Sequence, residues 1–504
     1  MPNQEQESGE PSAADAARGD LGRKASLSGR IIATRAVLSQ LLGLIFGVFL
    51  ARALGPEPFG QVAVATAIVA LLNLPGDLGL HAALIQARTC RTEDVSCAFT
   101  LSSLASATIF ALVALVGGPV HDLIWEGAFD QRLLLLVAAS TLVSQPFRVL
   151  AAGAFERNLS FAGIQAAELL ETALYYVTAL VCANLGLGAL SIAVGMAART
   201  IVQVVALLIM APSMVRPRLD REAAIALLKV GGPLRQTVVV NMVTSLAPQV
   251  IIGRLCGVAD LGLFLWAHGN VHRPQFLLEA VARVTHPLFA RANELDPRLL
   301  SDFLWRATYV CGIVAALWST MLIGAGPETV VVLYGPAWMP AVSTLWLLVP
   351  SIYLITFQVL FDNALISSGW SIAVRNVHLV RGALLWCLGG LGAAHYGRNG
   401  FAVAHCAALA IAVVAGAVVL RRALGATLDL RATARPVLCA VVSTGACRLL
   451  APTLSAHLSP VPVMLMLLVV SVVGFCAPLL AIDGTRPISV VRELFARGRP
   501  GRGG

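Results

Sequence analysis

Three stretches of this chain, 95–120, 307–327 and 449–482, contain no Asp, Glu, Lys or Arg. A helix needs about 20 predominantly apolar residues to cross the hydrocarbon core of a bilayer, and each of these runs is long enough. In water they would have to be buried inside a polar shell, and the chain has too little polar material to make one. Of 504 residues, 58% are apolar and 12% charged, with a mean hydropathy of +0.81. A soluble chain carries roughly 25% charge. The sequence therefore describes an integral membrane protein. In lipid every backbone amide must be paired internally, which leaves helices or a closed barrel, and the short alternating segments of barrel strands are absent.

Fourteen segments meet the length requirement: 31–51, 60–84, 95–117, 132–152, 161–183, 187–211, 232–253, 261–284, 306–325, 341–364, 372–394, 400–420, 435–454 and 461–482. The fold expected is an all-α polytopic membrane protein. The fourth and eighth spans are the least apolar, the eighth because it carries His268, His272, Arg273 and Glu279.

The formal net charge is +9, and all basic residues except Lys24 and Lys229 are arginine. With Arg18, Arg23, Lys24 and Arg30 in the cytoplasm, alternate loops bring Arg88 and Arg91, Arg157, Arg216 to Lys229, Arg291 and Arg298, Arg375, and Arg421, Arg422 and Arg431 to the same side. The opposite loops hold only the isolated Arg52, Arg132, Arg254, Arg398 and Arg448. This positive-inside pattern predicts a multi-pass membrane protein with an even number of spans and both termini cytoplasmic. It also assigns the basic residues to lipid headgroups and topology, with no nucleic-acid partner. Residues 1–26 are polar and read as a disordered tail, and 483–504 as a basic tail. The ten cysteines form no C-x-x-C and suggest neither zinc nor a disulfide framework.

A repeat is visible at a constant offset of 202 positions: Arg52 matches Arg254, Gly55 matches Gly257, Gly60 matches Gly262, Asn73 meets Gln275 and Asp77 meets Glu279. The copies are six spans apart, an even number, so both enter the membrane in the same direction. The expected domains are an amino-terminal lobe at 27–211, a basic cytoplasmic linker at 212–231, a second six-helix lobe at 232–420, a loop at 421–434 and two further helices within 435–482. Two pseudo-symmetric lobes about a central cavity suit a transporter. The four glycines of the repeat read as tight-turn residues.

The run FLARALGPEPFGQVAVATAIVALLNLPGDLGLHAALIQ, from Phe49 to Gln86, resembles the amino-terminal signature of the polysaccharide-biosynthesis flippases. These are the lipid-linked oligosaccharide translocases of the multidrug/oligosaccharidyl-lipid/polysaccharide exporter superfamily. The resemblance implies a non-enzymatic flippase for polyprenyl-diphosphate-linked oligosaccharide repeat units, serving surface or exopolysaccharide biosynthesis. Its partners would be membrane lipids and a polysaccharide polymerase and export machinery. No cofactor is implied, and a Na+ or H+ gradient is a possible energy source, because the chain has no GxxxxGK[ST] phosphate loop. An ion-coupled multidrug exporter of the same superfamily and a peptidoglycan lipid-precursor flippase are the alternatives.

Ionisable residues inside spans are costly and mark candidate sites. Arg199 and Arg273 lie near the middles of their spans, and Arg381 lies on the eleventh. A guanidinium stays charged in a dry cavity, and its planar fork suits phosphate oxygens, so these three are the expected diphosphate contacts. The alternative for each is an ion pair, Arg199 with Glu171 or Arg273 with Glu279. Glu168, Glu171, His268, His272, Glu279 and Asp77 are candidate coupling or gating groups. His268 and His272 share a helix face, but no aspartate or cysteine completes a one-turn metal site with them, so no metal is expected.

Overall fold

The computed structural model describes residues 13–73, 79–86, 91–125, 130–156, 162–277, 297–425, 430–484 and 490. Their secondary structure is helical throughout. In chain order the helices are α1 (Ala13–Leu54), α2 (Pro56–Asn73), α3 (Leu80–Gln86), α4 (Thr92–Ile124), α5 (Gln131–Ala151), α6 (Ala162–Asn184), α7 (Leu190–Met210), α8 (Arg221–Ser245), α9 (Ala247–Leu255) and α10 (Val258–Val271). They continue with α11 (Pro297–Gly324), the single turn α12 (Gly326–Thr329), α13 (Ala341–Ser367), α14 (Ser371–Leu424), α15 (Leu430–His457) and α16 (Pro460–Asp483).

Among the described residues, ten helices are long and apolar enough to cross a membrane. One of them, α14, is a hairpin. Gly397 inside it has φ 60° and ψ −151°, which no helix contains, and Gly392 lies against the carbonyl of Gly400. Eight residues of straight helix would separate those two by about 12 Å, so the chain reverses there. The eleventh and twelfth expected spans are its two arms. The second, seventh and eighth expected spans fall on shorter described pieces: α2, the apolar run Val239–Leu255 across α8 and α9, and α10.

Helix ends follow local chemistry. Asp130 Oδ1 accepts the backbone N–H groups of Arg132 and Leu133 and caps α5. Asp220 Oδ1 does the same for Glu222 and Ala223, so α8 starts inside the segment expected to be a linker. The first helix begins at Ala13, where composition suggested an unstructured tail; Ala13, Ala14, Ala16 and Ala17 are strong helix formers, which explains the difference.

The chain divides into two compact units. One comprises 1–53, 68–119 and 129–236, and the other 54–67, 120–128 and 237–504. In the first, α7 packs on α5 and α6, and a core gathers Leu84, Val95, Ala98, Leu150, Ile164 and Leu207. In the second, α13 packs along α14, and α11 against α15 and α16. Leu304, Cys311, Phe361, Ala364 and Leu420 form one of its cores, and Ala316, Cys439 and Phe475 another.

The second unit also holds both copies of the repeat start. Gly55 and Gly257 have φ of 72° and 91° and are turn glycines, as expected. Gly60 and Gly262 are helical and serve a different purpose. A Cβ on Gly60 would sit on the carbonyl of Val258, and one on Gly262 on the carbonyl of Pro56. Only hydrogen side chains let α2 and α10 approach this closely. Nearby, the end of α4 docks on α9: Trp125 donates to the carbonyl of Gln249 at 2.8 Å, and Arg254 donates to the last carbonyls of α4, Leu123 and Ile124, at 3.1 and 3.0 Å. Arg254 thus satisfies a helix C-terminus.

Candidate functional site

Within the second unit, α8, α9, α10, α13 and both arms of α14 enclose a cavity of about 380 Å³. Its polar wall carries Asn241, Thr244, Gln249, His268, Arg381 and His405. Arg381 Nη1 donates to Gln358 Oε1 at 3.1 Å, and Gln358 is buried. Among the described residues no carboxylate lies within ion-pair distance of Arg381. Asp362 acts on Arg381 only at Coulombic range, and it is engaged by His378 Nε2 at 2.8 Å. A guanidinium held by a neutral amide at a cavity wall keeps its charge available to whatever enters. At an effective dielectric of 20 and 4 Å separation, one unit of opposite charge gains about 4 kcal/mol.

His268 and His272 do share a face, with ring centroids 4.3 Å apart. The twelfth expected span brings a third ring, His405, to within 5.5 Å of His268. His268 also stacks on Phe264, 5.9 Å away. Ser351 lies 3.0 Å from His272 Nε2 and donates its single proton to the carbonyl of Leu348 at 2.6 Å. With that proton on the Leu348 carbonyl, the contact with His272 runs from an Nε2–H to the serine oxygen. In that tautomer His272 Nδ1 carries a bare lone pair. His272 Nδ1, His405 Nε2 and Gln358 Nε2 are all buried without a hydrogen-bond partner, an arrangement that costs about 1–3 kcal/mol per group.

Of the three expected arginines, Arg273 and Arg381 belong to the second unit and Arg199 to the first. Arg273 is not on the cavity wall: its Nε donates to Asn270 Oδ1 at 2.9 Å, and Asn270 is further held by Tyr334 at 3.3 Å and by Trp318 at 3.0 Å through its carbonyl. Its alternative partner Glu279 lies outside the described residues, as does Asp77. Arg199 belongs to the first unit and pairs with Glu171 at 3.4 Å. Glu168 pairs with Arg35 at 2.9 Å. Arg148 on α5 donates to Ser144 at 3.4 Å and lies within Coulombic reach of Arg199 and Glu171. The first unit thus carries an arginine–glutamate network on α1, α5, α6 and α7, of which the sequence showed only Arg199, Glu168 and Glu171. Arg35 and Arg148 lie four residues inside the ends of their expected spans and were not singled out. His405 has no sequence neighbour that could have singled it out.

The model of the polysaccharide biosynthesis protein family matches residues 49–343. The succinoglycan biosynthesis transport protein ExoT of Rhizobium meliloti (strain 1021) is 28% identical over 301 residues, a match that covers 59% of this chain and 60% of that protein. Among solved structures, an inward closed conformation of the lipid II flippase MurJ superposes with a TM-score of 0.69 at 13% identity, covering 91% of this chain and 99% of that one. An inward-facing multidrug resistance MATE family transporter of the MOP superfamily gives 0.60 at 16% identity, covering 77% and 94%. These two likenesses show the fold, that of a multi-pass helical membrane protein.

Proposed function

We propose, from the premise that this chain belongs to the polysaccharide biosynthesis protein family of membrane transporters, that it moves polyprenyl-diphosphate-linked oligosaccharide units across the inner membrane of a bacterium. One observation carries this reading: the cavity of the second unit presents Arg381 without a carboxylate partner among the described residues, beside neutral amide and hydroxyl groups. A cationic wall favours an anionic diphosphate and repels cationic drugs, while the neutral polar groups suit sugar hydroxyls. The succinoglycan transport relative supports a glycan cargo. The reading includes fourteen helices in two parallel six-helix lobes plus two, and both termini in the cytoplasm. It places Arg199 and Arg273 as further cargo contacts. Glu168, Glu171, Asp77, Glu279 and the histidines are the groups through which a Na+ or H+ gradient would act. A polymerase and export machinery downstream are the partners that would consume the product.

The test is reconstitution into liposomes loaded with a polyprenyl-diphosphate oligosaccharide on one leaflet, with a membrane-impermeant periodate readout of the sugars reaching the other. Protein-dependent exposure of the glycan is expected. Extrusion of a cationic dye without glycan movement would establish the drug-exporter alternative. Movement of a peptidoglycan lipid precursor in preference to the oligosaccharide would establish the other.

A further inference from the structure

The three imidazoles of His268, His272 and His405 meet beside the cavity with no acidic partner among the described residues. Each offers one ring nitrogen, and the three nitrogens lie within 4.8 Å of one another. His268 lies on α10, His272 caps the end of that helix, and His405 lies on the second arm of α14. Ser351 Oγ holds His272 at Nε2, 3.0 Å away, and His272 Nδ1 is buried with no hydrogen-bond partner. His405 Nε2 is buried and bare as well. A histidine oriented through one nitrogen by a neighbouring oxygen, with the other nitrogen free, is the arrangement in which imidazole binds metal. Three such nitrogens about a tetrahedral ion at about 2.0–2.1 Å would be about 3.3 Å apart, so modest side-chain rotation closes the site.

We propose that His268, His272 and His405 form a binding site for a divalent transition-metal ion of the zinc class. The ligands are His272 Nδ1, His405 Nε2 and a ring nitrogen of His268. Two of the three residues, His268 and His405, line the cavity, which gives the ion a path of entry and leaves its fourth position facing that space. Three neutral imidazoles leave the ion's charge uncompensated, so the fourth ligand is hydroxide or another anion. The site rests on the histidine geometry alone and stands whatever the cargo proves to be.

The test uses the full chain in detergent, purified without a histidine tag and stripped with a chelator. Titration with Co2+ should give the visible d–d bands of a tetrahedral site at one ion per chain, and Zn2+ should displace it. H405A should abolish the bands. S351A, which removes only the group orienting His272, should weaken Co2+ binding by roughly 10–100-fold while the protein elutes as wild type. H395A, at an exposed histidine outside the cluster, should leave the titration unchanged. Absence of tetrahedral bands in wild type, or bands retained in a well-folded H405A, would overturn the proposal.

Discussion

Arg381 is the residue on which the cavity's electrostatics depend, and its removal has two separable costs. In R381A the acceptor Gln358 Oε1 loses its donor at 3.1 Å, and Gln358 Nε2 already lacks a partner. The side chain is then buried with neither polar end satisfied, which destabilises the fold by about 1–3 kcal/mol unless water enters from the cavity. The functional cost is larger. Contact with one phosphate charge gains about 4 kcal/mol at an effective dielectric of 20. Partial hydration of the cavity reduces this to about 1.5–3 kcal/mol, or roughly 10–150-fold in affinity. R381K keeps the charge but loses the fork, so it should fall between wild type and R381A. The assay is the liposome translocation rate at sub-saturating glycan, normalised to protein recovered in the bilayer, with the midpoint of thermal unfolding measured in parallel. An R381A protein that unfolds a few degrees early but moves glycan at the wild-type rate would refute the electrostatic argument while leaving the packing argument intact.

Three further outcomes are expected. Arg199 is half-exposed and Glu171 is 4% exposed, so R199A takes the paired cation from a buried carboxylate and leaves it only the longer-range charges of Arg35 and Arg148; in a thermal-stability cycle it should cost more than E171Q by about 1 kcal/mol, with the double variant partly restored. G262A should lower the unfolding midpoint, because the added methyl meets backbone and the two helices must part; an overpacked site of this kind costs about 1–3 kcal/mol, and an unchanged midpoint would remove the close crossing. A cytoplasm-active reporter fused after Gly504 should be active and a periplasm-active one silent, and the reverse would overturn the topology.

What could be read from the sequence, and what could not, divides along the range of the interactions. Span existence depends on local composition, so the charge-free runs near 95–120 and 307–327 correspond to α4 and α11. The cost of a charge in lipid is also local, which is why Glu168, Glu171, Arg199 and Arg381 could be singled out, and why one suspected pair, Arg199 with Glu171, is present. The composition of the cavity was beyond reach. His405 meets His268 only because α14 folds back at Gly397 and lays its second arm beside α10, and nothing adjacent to His405 encodes that meeting. Gly60 and Gly262 were misread for a related reason. A glycine needed for a turn and one needed for a helix crossing look alike until the partner backbone is known, and here the partner is the other copy of the repeat.

That crossing has the form of an isologous contact. Position 60 meets position 258, and position 262 meets position 56; each pair is the other with the two copies exchanged, as happens across the dyad of a homodimer. One chain therefore contains, joined end to end, a contact of the type two identical subunits make with each other. The consequence is mechanical. A methyl at either glycine forces the same separation of the same two helices, so once one has been introduced, the second finds the gap already open. G60A and G262A should each be costly alone and cost little more together, with a coupling energy close to that of one substitution. Two residues far apart in the chain thus behave as a single hinge point, and neither copy can loosen its side of the crossing without loosening the other.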